Sequence, residues 1–130
     1  MSCKRGYDKT PLQFALPTDY RLEIAENRDE RKFEVKLIST TVRRLCINSA
    51  QWPNSLGQLH FARDRVYVTV GDTRYDIKTE NFGYPAGFLE IPAGGGLDGF
   101  IAFDEFDSAW PTGSNTKPVL AFEVQPYYCK

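Results

Sequence analysis

The sequence predicts an all-β, antiparallel sandwich of about seven to nine strands, and three observations predict it. Apolar and charged residues alternate in short runs such as Tyr20-Arg21-Leu22-Glu23-Ile24 and Phe33-Glu34-Val35-Lys36-Leu37, the period of a strand with one buried face. Glycine and proline are scattered between these runs as punctuation and form no low-complexity tract. No segment carries the apolar spacing of an amphipathic helix. The 130 residues, 14% of them aromatic, suffice for a single core, since a domain of this size buries roughly two thirds of its unfolded surface. One domain is therefore expected over residues 20–130, with residues 1–19 as an N-terminal tail or extension.

The elements follow in order. The two alternating runs are the first two strands, and the charged stretch Glu26 to Lys32 between them has no apolar stripe and reads as a solvated connection. Val42 to Ile47 is rich in branched residues and ends at Asn48-Ser49, whose side chains compete for backbone hydrogen bonds in turns. A loop carrying Trp52-Pro53-Asn54 comes next. Val66 to Val70, Gly71-Asp72 and Thr73 to Ile77 form the strongest hairpin signal, because a Gly-first pair suits a type II′ turn. Pairing Val70 with Thr73 sets Val68 opposite Tyr75 and Val66 opposite Ile77, so both strands bury one face. A loop spans Asn81 to Gly87, then Phe88 to Ile91 is a short strand stopped by Pro92. Gly94-Gly95-Gly96 lacks the following Lys-Ser/Thr and helix of a phosphate loop and reads as a flexible connection. Leu97 to Phe103 is a strand, Asp104 to Trp110 an acidic aromatic turn or one helical turn, and Val119 to Val124 the last strand.

The formal net charge of −1 gives no support to a general affinity for nucleic acid or anionic lipid. Its distribution is uneven. Residues 1–78 hold fourteen bases and ten acids, residues 79–130 two bases and seven acids, and no base lies between Lys78 and Lys117. The C-terminal part should present an acidic surface, either screened by solvent and by the other half or facing a basic partner. No apolar run approaches the roughly twenty residues of a membrane-spanning helix, and Met1 to Thr10 is too polar for a secretion signal. The chain is thus expected to be cytoplasmic, or periplasmic or secreted with its leader already removed. Cysteine usage favours export. Cys46 and Cys129 fall at strand or strand-end positions, and a disulfide between them is worth about 4 kcal/mol on chain-entropy grounds; two buried thiols are the alternative. Cys129 sits at a chain end that would otherwise fray, which favours the bridge. Cys3 is either an inconsequential tail thiol or, if Met1 and Ser2 replace a leader, a lipid-bearing residue.

Catalysis finds little support. His60, in Gln58-Leu59-His60-Phe61, is the single histidine, and there is no nucleophile turn for it to serve as base. No two cysteines are spaced as a zinc-chelating pair, and Asp104, Glu105 and Asp107 lack the spacing of a calcium loop. No cofactor, metal or enzymatic activity is expected.

Binding remains. Sandwich loops cluster at two ends, and three of them carry large amphipathic side chains: Trp52 with Asn54, Phe82 with Tyr84, and Phe106 with Trp110 among Asp104, Glu105 and Asp107. For each tryptophan alone, plugging one end of the core is the simpler role. As a set, an acidic rim around aromatics suits docking to a basic-surfaced enzyme. The leading expectation is a non-catalytic protein-binding domain, such as an inhibitor or immunity protein that occludes an enzyme. A carbohydrate-binding or adhesion module, with Trp52, Tyr84 and Trp110 stacked on sugar rings, is the alternative. A structural envelope protein, whose sign would be exposed strand edges, is the third. Nothing in the sequence sets the oligomeric state.

Phe88 to Phe103 resembles the paired strands of bacterial immunoglobulin-like sandwich domains. Cys46, Trp52-Pro53-Asn54, Phe82-Gly83-Tyr84, Phe122, Pro126, Tyr127 and Cys129 together resemble a group of small exported bacterial proteins without assigned function. The resemblance covers roughly residues 33–129 and implies an immunoglobulin-like fold and export, with no substrate. Members of that group often carry extra cysteines near Phe82 to Phe88, where this chain has Tyr84-Pro85-Ala86.

Overall fold

The computed structural model describes residues 12–59, 65–78, 87–107, 110, 111, 113 and 115–129. Among them nine strands form three antiparallel sheets that share one core: β1 (Tyr20–Asn27), β2 (Lys32–Ser39) and β7 (Gly96–Ala102) in the order β1-β2-β7; β6 (Phe88–Ile91), β3 (Leu45–Asn48) and β9 (Tyr127–Tyr128) in the order β6-β3-β9; and β5 (Thr73–Asp76), β4 (Val66–Val70) and β8 (Val119–Phe122) in the order β5-β4-β8. The all-β sandwich expected from the alternating runs is what the chain builds.

Charge does not stop β1 and β2 from pairing across almost their whole length. Their register runs unbroken from Tyr20 opposite Ser39 to Asn27 opposite Lys32, so the connection shrinks to residues 28–31. Asn27 Oδ1 accepts from Glu30 N at 3.1 Å, Arg31 N donates to Arg28 O at 3.1 Å, and Arg31 takes a left-handed φ of 55° to close the turn. In the β4–β5 hairpin Val70 faces Thr73 and Val68 faces Tyr75 as the alternation requires, with Gly71 at φ 62°. Val66 does not reach Ile77, which instead bridges Phe106. The strand expected from Val42 begins only at Leu45, because Val42 is exposed and Arg43 turns its guanidinium over the Tyr128 ring at 3.5 Å.

β6 and β7 do not pair with each other. Each finds its partner in a different sheet, β6 along β3 and β7 along β2, so the segment joining them crosses the sandwich. Gly95 N donates to Pro92 O at 2.9 Å, and Gly94 has φ 69°. Gly96 is already in β7, and a Cβ there would lie 2.8 Å from the carbonyl oxygen of Leu37. The glycine triplet is therefore a tight corner packed on β2 rather than a slack connection.

The core is filled from the inward positions: Phe33, Val35 and Leu37 of β2, Leu45 and Ile47 of β3, Val66 and Val68 of β4, Ile91, Ile101, Leu120 and Phe122. Full burial of such side chains contributes roughly 1.5–3 kcal/mol each. Residues 13–15 lie against β9: Phe14 bridges Tyr127, Tyr128 N donates to Gln13 O at 2.9 Å and Ala15 N to Pro126 O at 3.0 Å. The Tyr128 hydroxyl then donates to Asp19 Oδ2 at 2.6 Å. Cys46 and Cys129 form a disulfide, their Cα atoms 5.3 Å apart and 83 positions apart in sequence. It crosses the β3–β9 pairing and closes the alternative of two free thiols. No helix of the described residues is long and apolar enough to cross a membrane.

Candidate protein-binding surface

The turn after β7 rests on aromatic rings. Phe103, Phe106 and Trp110 come from the turn and Phe33 from β2, and all four are buried. Trp110 lies 4.5 Å from Phe103 and 5.6 Å from Phe106 in edge-on contacts, and stacks on Phe33 at 5.8 Å with an interplanar angle of 12°. Such pairs contribute about 0.5–1.5 kcal/mol beyond area burial. The backbone is also fixed to β5 and the residues just after it, Asp107 N donating to Asp76 O at 3.0 Å and Lys78 N to Glu105 O at 2.8 Å, while Trp110 N donates to Asp107 O at 2.9 Å within the turn.

The three acids of the turn part company. The Asp104 side chain is 82% exposed and meets Arg31 at 3.4 Å, a surface pair worth little. Glu105 turns inward, its Oε1 accepting from Leu59 N at 3.3 Å. Asp107 is exposed, and its main-chain bond brings it beside Asp76, whose carboxylate accepts from Arg74 Nε at 2.7 Å. Asp76 thus lies beside the turn, with its carboxylate paired to Arg74. Its sequence signal was its outward place in the β4–β5 hairpin, two positions beyond Arg74, but only the Ile77–Phe106 bridge brings the hairpin to the turn.

The Trp52 loop is built for internal contact. Trp52 packs near Phe122 at 5.9 Å and donates from Nε1 to Asp98 O at 3.4 Å. It fits under β7 because position 99 is glycine, where a Cβ would stand 2.9 Å from that nitrogen. Asn54 Oδ1 accepts from Leu56 N at 2.9 Å and from Gln58 N at 3.0 Å, while its amide donates to Gln58 Oε1 at 3.1 Å. Asn54 organises its own loop. The loop also runs along β7, Gly57 O accepting from Ala102 N at 3.1 Å, until Leu59 reaches Glu105. Both tryptophans thus serve the core, and neither offers an exposed ring to stack on a sugar. Tyr84, Phe82 and His60 lie outside the described residues.

Among the described residues no group of three or more His, Cys, Asp or Glu side chains is placed to hold a metal ion. Arg44 and Glu90 form a forked pair away from the acidic turn, with Nε to Oε2 at 3.0 Å and Nη2 to Oε1 at 2.8 Å. Those hydrogen bonds hold the Glu90 carboxyl below the ordinary glutamate range and raise Arg44 further. An open groove of about 600 Å³ lies between β1 and the segment after β8, lined by Phe14, Tyr20, Leu22, Gln51, Glu123 and Gln125 among others. Comparison with protein-family models, curated proteins and solved structures finds no match to the chain.

Proposed function

We propose that the chain is a non-catalytic protein-binding domain that presents its acidic end, Asp104 and Asp107 with neighbouring Asp76, to a basic partner surface. One observation carries this reading: the acidic turn is seated on four buried rings and hydrogen-bonded to β5. A surface held in advance loses little conformational freedom on docking, and its charge steers and orients the encounter. An inhibitor or immunity protein that covers the entrance of an enzyme is the concrete form. The disulfide supports export to an oxidising compartment, in keeping with the resemblance to small exported immunoglobulin-like proteins of bacteria.

The test is capture from a bacterial envelope extract by the immobilised protein and by an Asp104→Asn/Asp107→Asn variant, which leaves the inward-turned Glu105 in place. The intact protein is expected to retain a basic protein that the variant releases at lower salt. Retention of a polysaccharide by both forms equally, or of nothing by either, removes the acidic-end reading.

A further inference from the structure

We propose that the outer edge of β1, unpaired among the described residues, pairs with the β1 edge of a second copy of the chain, antiparallel about a two-fold axis at Leu22. The direction of the free groups comes from β2. Ser39 N donates to Gly95 O on the β7 side at 2.8 Å, and Thr40 N donates to Asp19 O at 2.9 Å. Hydrogen-bonded and non-bonded positions alternate along an antiparallel pair, so Arg21, Glu23 and Ala25 turn their main-chain groups to β2, as Asp19 turns its carbonyl while its N–H donates to Leu16 O. Those of Tyr20, Leu22 and Ile24 turn outward. None of the latter has a hydrogen-bond partner among the described residues.

The other edges are treated differently. β7 is covered by the Trp52–Gly57 loop, β9 by residues 13–15, and β5 by the Phe106–Asp107 segment, while β6 and β8 have four residues each. β1 has eight residues, no proline, no glycine and an unbroken register. Proteins ordinarily blunt so long an edge.

The side chains select one register. With Leu22 on the axis, Tyr20 faces Ile24 of the second copy, Leu22 faces Leu22, and Arg21 faces Glu23 in both directions. Sliding by two residues one way sets Arg21 against Arg21; sliding the other way sets Glu23 against Glu23. Like charges directly opposite destabilise a pair, and odd shifts put outward groups against inward ones. The self-complementary register therefore stands alone among its neighbours. It supplies about six main-chain hydrogen bonds and covers Ile24, a core-side residue left 40% exposed. The interface is isologous and closes at two copies.

Sedimentation equilibrium of the oxidised chain, up to about 1 mM because a contact this small binds weakly, gives the test. The unaltered chain is expected to dimerise. Arg21→Glu should weaken the dimer about tenfold or more, since the clash occurs twice by symmetry. Arg21→Glu/Glu23→Arg should restore it. Ile24→Pro removes an N–H that has no partner among the described residues, so it should leave the fold intact by circular dichroism and abolish the dimer. A chain that stays monomeric throughout overturns the proposal. So does a dimer that neither Arg21→Glu nor Ile24→Pro weakens.

Discussion

At the scale of single residues, two glycines of β7 decide how the sandwich closes. Gly99 leaves room for the Trp52 indole, and Gly96 lets the chain leave the corner against the Leu37 carbonyl. Gly96→Ala is expected to lower stability by about 1–3 kcal/mol, because the neighbouring atom is backbone and overpacking is relieved only by moving the strand. Urea unfolding measures it; a midpoint equal to that of the unaltered chain would contradict the packing described. Neither glycine was readable as a contact residue in the sequence. A close approach is made by residues distant in the chain, whereas composition around Gly94-Gly95-Gly96 registers only the missing side chains. The tryptophans were ambiguous for a related reason: a loop tryptophan has the same neighbours in sequence whether its ring turns outward or inward.

At the scale of elements, alternation was a dependable guide where a strand has one wet face. It marked β1, β2 and the β4–β5 hairpin, including the Val70–Thr73 and Val68–Tyr75 pairs. It could not tell which strands pair across the fold, and β6 and β7 are the instance: adjacent in the chain, they belong to different sheets. The Arg44–Glu90 fork joins β3 to β6, and its acid dependence has a definite sign. Glu90 titrates lower folded than unfolded, so the contribution of the pair is fully present above the ordinary glutamate value of about 4.3 and is lost as pH falls through the lower folded value. Carboxyl titration by NMR should give Glu90 a midpoint below that value, and Arg44→Met should return it to the usual range. An unchanged midpoint in that variant would mean that the fork does not set it.

At the scale of the whole molecule, ion pairs between the two halves of the sequence and the disulfide organise the chain. The lopsided charge was legible from sequence, but in the fold acids of the C-terminal part meet bases of the N-terminal part, Asp104 with Arg31, Asp98 with Lys36 and Glu90 with Arg44, while the aromatic seat leaves Asp104 and Asp107 exposed and draws Glu105 in. The disulfide was one of two readings of Cys46 and Cys129; the pairing of β3 with β9 decides between them. Its removal by Cys46→Ala/Cys129→Ala is expected to cost about 4 kcal/mol, read as a lower denaturant midpoint. The loss should be similar when the unaltered protein is reduced, and a midpoint indifferent to reductant would count against the bridge as a stabilising element.

The same closure governs how the chain yields to a pulling force. Residues 13–15 lie along β9, so tension applied between Gln13 and Cys129 loads two neighbouring segments first. Once these separate, the disulfide shields everything between Cys46 and Cys129. The chain then pays out only the residues from 13 to 46, about 110 Å at full stretch. Reduction lengthens that leash to about 400 Å, so the redox state of one bond sets whether the sandwich acts as a short tether or a long one.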